Sequence, residues 1–185
     1  FARRHVRPPP HVYPPDELRR LLHAARRLPA IWPLRPQVFP PLFGLLASSG
    51  VRVSEALALR FGDVTSDGLV IRKAKFNKSR LVPLHETATA ALGRYIELRR
   101  RTSTVSDYVF VSPKGGRLPL PTVSKTFLHL VRHAGLRAGP GTQGPRIHDL
   151  RHTFAVRALE ACPHGGSPVG WHMRALSTYL GHRNV

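Results

Sequence analysis

Apolar residues recur mostly at helical spacing along this chain, with strand-like stretches between Leu69 and Leu84 and at Tyr108 to Val111. From Asp16 to Leu28, the residues Leu18, Leu21, Leu22, Ala25 and Leu28 form one stripe with arginines opposite, which predicts an amphipathic helix stopped by Pro29. Pro33 to Pro36 reads as a turn. Val38 to Ser48 is apolar nearly all round, as a helix inside the core would be, and Gly50 ends it. A short helix is predicted through Ser54 to Leu59.

Leu69 to Arg72 and Leu81 to Leu84 read as two strands of a hairpin, with a basic connection from Lys73 to Arg80 and its turn near Asn77. Helical spacing then resumes in Glu86 to Arg101, with Ala88, Ala91, Leu92, Tyr95 and Ile96 inward. A short strand is predicted at Tyr108 to Val111 and a turn at Pro113 to Gly116. Pro121 opens a helix that buries Phe127, Leu128, Leu130 and Val131 and closes before Gly135. Another runs from His148 to Ala161, and the last from about His172 to Leu180, ahead of Gly181. The pattern predicts a mainly α domain with a small antiparallel β-sheet, an α+β arrangement of about six to eight helices and about three short strands. Residues 1–15, rich in Arg, His and Pro, read as a solvated linker from a domain upstream of Phe1, and residues 16–185 as one catalytic-type domain.

Composition changes the picture in one respect. The 185 residues carry 29 Lys+Arg against 10 Asp+Glu, a formal +19, and 42% hydrophobic content supports a true core. A folded domain of this charge expects a polyanion, and double-stranded DNA is the leading partner. No apolar run approaches the roughly 20 residues of a membrane span, so no membrane partner is expected. The lone cysteine, Cys162, has no internal partner, which fits a reducing cytoplasm. Only Lys73, Lys75, Lys78, Lys114 and Lys125 are available as ammonium proton donors.

Three stretches carry candidate chemistry. In His148-Asp149-Leu150-Arg151-His152, helical spacing lets His148, Arg151 and His152 face a common target, and a guanidinium beside an imidazole suits a phosphate-handling site. Arg52 sits between Val51 and Val53, so its charge borders the core and needs an anion. That anion is either a structural partner, Glu55 or Asp63, or a ligand. The basic hairpin offers Lys73, Lys75, Lys78 and Arg80, either as an exposed turn that blocks edge pairing or as a DNA contact. The Gly/Pro loop 139–145 lacks the Lys-Ser/Thr ending of a phosphate-cradling loop. His148 and His152 have the spacing of a zinc-binding pair, but Arg151 between them would set a fixed positive charge beside the metal, so no metal and no cofactor are expected.

Four motifs, SGVRVSEALAL around Arg52, KAKFNKSRLVPL around Lys75, HDLRHTFA around His148 and Arg151, and LGHRNV around His182, resemble in form and order the catalytic domain of the tyrosine recombinases, the phage integrase family. The resemblance spans most of residues 16–185. It implies that fold and a site-specific recombination chemistry: a tyrosine attacks a DNA backbone phosphate, giving a 3′-phosphotyrosyl link and a free 5′-hydroxyl. Residue by residue, it implies that Arg52 and Arg151 hold the non-bridging oxygens and that Lys75 protonates the leaving 5′ oxygen. Lys73 is the rival of Lys75. It further implies that His148 takes the tyrosine proton and that His182 hydrogen-bonds the phosphate. DNA contacts are expected from Arg52, Lys73, Lys75, Lys78, Arg80 and Arg151. A homo-oligomer, tetrameric on DNA, in the nucleoid-associated cytoplasm of a bacterium is implied as well. The resemblance fits integration, transposition and the resolution of replicon dimers alike.

The resemblance has gaps. The nucleophile, a tyrosine about nine residues after the Gly-His pair in the family, is expected beyond Val185. Of the tyrosines present, Tyr13 lies in the proline-rich start, Tyr95 on a helix face and Tyr108 in a strand. Tyr179 precedes His182 on a helix where Leu176 and Leu180 suggest core packing, so none of the four is expected to replace the nucleophile. The segment from Cys162 to Trp171 is longer and richer in Gly and Pro than a simple turn. These 185 residues alone are therefore expected to bind DNA without cutting it, and the rival reading is an inactive DNA-binding or regulatory module. A type IB topoisomerase shares the catalytic set, but the LGHRNV and SGVRVSEALAL forms look like a bacterial integrase.

Overall fold

The computed structural model describes residues 9–72, 79–102, 106–138, 143–162 and 169–181. Its elements in chain order are α1 (Pro15–Arg26), α2 (Arg35–Ser49), α3 (Val53–Ala58), a 3₁₀ turn (Phe61–Asp63), β1 (Val64–Thr65), β2 (Gly68–Ile71), β3 (Arg80–Val82), α4 (Glu86–Arg100), α5 (Leu120–His133), α6 (Asp149–Glu160) and α7 (Val169–Leu180). The domain is thus mainly helical with a small antiparallel sheet, as its apolar pattern predicts.

Helix α2 is the axis of the packing. Val38, Phe39, Leu42, Phe43, Leu45 and Leu46 are all buried because α1, α4 and α6 each lie against a different side of it. A helix covered on several sides gains nothing from a polar face, which is why its sequence is apolar all round. Phe39 stacks on Phe43 at 5.8 Å, and Phe43 meets Phe127 of α5 edge to face at 5.5 Å. Among the described residues, no helix is long and apolar enough to cross a membrane.

The sheet has the order β1-β2-β3, all antiparallel, and its register sets Leu69 opposite Val82 and Ile71 opposite Arg80. Leu69, Ile71 and Val82 face the core. Arg80 therefore stands at the end of β3 next to the connection 73–78; Lys73, Lys75, Lys78 and the turn near Asn77 lie outside the described residues.

Three local expectations need correction. Tyr108 to Val111 is not a strand: Tyr108 bridges to Arg60 and Val111 to Arg117, so its two ends pair with different neighbours and no ladder propagates. The helix expected from His148 starts one residue later, with His148 as its cap. Residue 13 is not solvated. Tyr13 is fully buried, its N–H donates to Thr153 Oγ1 at 2.9 Å, and its carbonyl accepts from Arg157 Nη2 at 2.6 Å, so the chain is already tied to α6 before α1 begins.

Candidate active site

Two helices end where the site begins. α2 closes at Gly50, which adopts φ +62°, and α7 runs into Gly181 at φ +71°. The closing amides satisfy carbonyls one turn back, Gly50 N–H that of Leu46 and Gly181 N–H that of Thr178, and the carbonyls beyond them are left for side-chain donors. Here arginines take them. The Arg151 guanidinium donates to the Gly50 carbonyl through Nη1 and to the Leu180 carbonyl through Nη2 at 2.7 Å, and Arg52 Nη2 donates to the Gly181 carbonyl at 3.1 Å. The two arginines singled out from sequence are thus brought together by the backbone of two distant helix ends.

Arg52 caps α3, and Glu55, three residues on, receives both its backbone N–H and its Nη1 at 2.9 Å. Of the two partners open to Arg52, the chain uses Glu55; Asp63 pairs with Arg72 instead. The same Glu55 carboxylate is gripped by Arg80, Nη1 to Oε1 at 3.0 Å and Nη2 to Oε2 at 2.8 Å. Burial alone would push the Glu55 carboxyl up, but the hydrogen bonds from Arg80 and Arg52 outweigh it and hold it below the usual carboxylate range. Glu55 was legible only as a possible ion-pair partner. The signal that it belongs to the site is its position three residues after the capping arginine.

Arg151 is 5% exposed. Burial, and then the charges of Arg52 and Arg80, push its guanidinium down to about 10, with Glu55 opposing. Among the described residues, Arg52, Arg80 and Arg151 gather around the Glu55 carboxylate, an arrangement suited to an anionic ligand.

Helix α6 positions the remaining group. The buried Asp149 carboxylate accepts the Arg146 N–H at 2.8 Å and Arg146 Nη2 at 3.1 Å, which pins the turn before the helix and fixes His148 at its cap. The His148 ring meets His152 edge to face at 4.9 Å. Burial first, then His152 and Arg151, lower its pKa from the ordinary 6.5, so near neutral pH it is an uncharged imidazole able to accept a proton. Lys75 and His182 lie outside the described residues.

None of the four tyrosines is presented for attack. Tyr13 is fully buried; burial, with Asp149 and Glu17, raises its pKa. Tyr95 donates to the Val109 carbonyl at 3.0 Å, and Tyr108 lies under Arg60 at 4.7 Å. Tyr179 donates to the Ser49 carbonyl at 3.1 Å and stacks on Phe154 at 5.5 Å, and burial raises its pKa too. It braces the site wall. A groove of about 580 Å³ between α1, α2 and α4, walled by Leu18, Leu22, Pro40, Leu45 and Tyr95, shares none of the cluster's residues.

The sequence model of the phage integrase family matches residues 12–185. A protein of Sinorhizobium fredii named as an integrase/recombinase, y4rB, is 40% identical over 184 residues, covering 95% of this chain and 59% of its own length. The tyrosine recombinase XerD of Caulobacter vibrioides is 34% identical over 185 residues, covering 97% of this chain and 56% of its own length. The crystal structure of XerA recombinase superposes with a TM-score of 0.74 at 30% identity, over 98% of this chain and 59% of that one. The chain thus spans less than two thirds of the curated relatives it matches.

Proposed function

Because this chain belongs to the phage integrase family, we propose that it forms the phosphate-activating part of a site-specific DNA recombinase. What carries the reading is the convergence of the Arg52 and Arg151 guanidinium groups on the Gly50, Leu180 and Gly181 carbonyls. The two guanidinium groups would bind the non-bridging oxygens of a phosphodiester and stabilise the added charge of the pentavalent transition state. His148, neutral at working pH, would take the proton of the attacking tyrosine and return it when the strand is rejoined. Lys75 would protonate the leaving 5′ oxygen, and His182 would add a hydrogen bond to the phosphate. The products of cleavage are a 3′-phosphotyrosyl ester and a free 5′-hydroxyl.

The attacking group is a tyrosine outside these 185 residues, since Tyr13, Tyr95, Tyr108 and Tyr179 are all engaged or buried. The 185 residues alone therefore bind duplex DNA, with the steep salt dependence of phosphate contacts, and do not cut it. Recombination proceeds in a homo-oligomer on DNA, and Lys73, Lys75 and Lys78 of the hairpin, with Arg52 and Arg151, supply DNA contacts.

The test uses the protein as encoded and a nicked suicide duplex selected by binding from a randomised pool. A denaturation-resistant protein–DNA adduct is expected, lost on Arg151→Ala, while the 185 residues alone retard the duplex without an adduct. Binding with no adduct from either would reject the reading in favour of a regulatory DNA-binding module. For Lys75→Ala, loss of cleavage on an ordinary phosphodiester with retention on a 5′-thiol leaving group supports the acid role, and equal loss on both removes it.

A further inference from the structure

We propose that Arg80 is a positioning residue for strand cleavage, acting on the phosphate only through Glu55 and Arg52 and not as a DNA contact; this rests on the recombinase reading above. Of the candidate DNA contacts Lys73, Lys75, Lys78 and Arg80 in the hairpin, Arg80 alone has a described place, and that place is inward. Its side chain is 15% exposed, against 27% for Arg52, and its Nε is buried with no acceptor among the described residues. Both terminal nitrogens are committed in parallel to the two oxygens of Glu55, the fork-on-fork geometry that only a guanidinium can make.

Glu55 is the hub this fork immobilises. One carboxylate takes Arg80 from β3 and, at the same time, the side chain and backbone N–H of Arg52 from the start of α3. Arg80 also walls the turn on which Arg52 leans, since a Cβ added at Gly181 would stand 3.3 Å from Arg80 Nη1 and 3.6 Å from Arg52 Nη1. Removing Arg80 has two consequences for Arg52. The carboxylate is free to rotate and carries Arg52 Nη1 with it. Its charge, no longer shared between two cations, also falls on Arg52 alone and competes with the phosphate for it. Arg80 further stands opposite Ile71 at the end of the β2–β3 ladder beside the connection that carries Lys75. The fork therefore ties the base of the lysine hairpin to the arginine it must work with.

A DNA contact and a positioning residue give opposite signatures, and the protein as encoded distinguishes them on the selected nicked duplex. For Arg80→Ala we expect the slope of log K against log salt to match the unsubstituted protein. The adduct-forming rate at saturating protein should fall on the order of 10²-fold, the cost of roughly 1 Å of misplacement at a reacting centre. Arg80→Lys keeps the charge but not the fork and should lose rate nearly as much. Adding Arg80→Ala to Glu55→Gln should cost little more than Glu55→Gln alone, because both act through one carboxylate. If Arg80→Ala lowers the salt slope by about 1 and spares the saturating rate, Arg80 is a phosphate contact and the proposal fails. Full rate in Arg80→Lys overturns it as well, and that variant decides the matter if circular dichroism shows that Arg80→Ala does not fold. Absence of an adduct from the unsubstituted protein would instead refute the recombinase reading itself.

Discussion

Gly50→Ala should damage the fold and the site together, and the structure sets the scale. The backbone at Gly50 has φ +62°, where any residue with a Cβ costs about 1–2 kcal/mol. The added methyl would also stand 2.4 Å from Phe154 Cδ1 and 3.0 Å from Leu180 Cδ2, closer than carbon atoms can approach. Phe154 cannot retreat freely, because it stacks on Tyr179, whose hydroxyl is bound to the Ser49 carbonyl. Relieving such overpacking costs a further 1–3 kcal/mol or so, giving a loss of about 2–5 kcal/mol from a domain whose whole stability is about 5–15 kcal/mol. Leu180 and Gly50 both hold Arg151 through their carbonyls, so any relief also displaces that guanidinium. The assay is urea unfolding followed by circular dichroism, with Gly44→Ala as the matched control. Gly44 lies inside α2 with nothing within 4 Å of an added Cβ, so that change should stabilise by about 0.5–1 kcal/mol. A Gly50→Ala loss below about 1 kcal/mol, at unchanged denaturant slope, would refute the reasoning about this helix end.

Tyr179→Phe should cost about 1 kcal/mol, the worth of its hydrogen bond to the Ser49 carbonyl, and leave adduct formation within a few-fold; a folded but inert variant would make Tyr179 the nucleophile. Because burial, His152 and Arg151 favour the neutral His148 imidazole, the saturating adduct rate should rise with pH along an acid limb centred below 6.5 and be flat above it. A limb centred above 7 in the pH–rate profile would remove His148 as the proton acceptor. Glu55 has a lowered folded-state pKa, so its contribution to stability is present above the unfolded value near 4.5 and is lost as pH falls through the lower folded one. Melting temperatures of Glu55→Gln should therefore converge with those of the unsubstituted protein in strong acid and diverge above about pH 4.5; a gap that widens on acidification would contradict this.

Helix periodicity located α1, α2, α4 and α5 because each buries a stripe or a whole cylinder of apolar side chains, and that demand is written locally. The elements that escaped obey partners distant in sequence. β1 has only Val64 and Thr65, too short for any alternation, and exists because β2 offers an edge to it. Tyr108 to Val111 has the apolar content of a strand, yet its ends are claimed by Arg60 and Arg117. Tyr13 looked like part of a proline-rich tether, since nothing local reveals that Thr153 and Arg157, some 140 residues away, hold its backbone. In the site, Arg52, His148 and Arg151 were legible from motif and spacing. Glu55 was visible only as a neighbouring acid, because its double service to Arg52 and Arg80 depends on how β3 meets α3.

How the arginines are held explains how they are oriented. A guanidinium at the edge of a core needs hydrogen-bond acceptors, and carboxylates would supply them at the cost of neutralising it. This fold uses the outward carbonyls of two helix C-termini instead, Gly50 after α2 and Leu180 with Gly181 at the end of α7. Helix C-termini carry only partial negative charge, so they orient Arg52 and Arg151 without cancelling them. The Glu55 carboxylate is divided between Arg52 and Arg80. Burial and the charges of Arg52 and Arg80 push the Arg151 guanidinium down to about 10, so an incoming phosphate beside it would lower the energy of the charged form. Replacing Glu55 by Gln should therefore raise affinity for a simple oxyanion such as vanadate, measured by calorimetry, while lowering the cleavage rate, because the charge facing the phosphate grows as its alignment is lost.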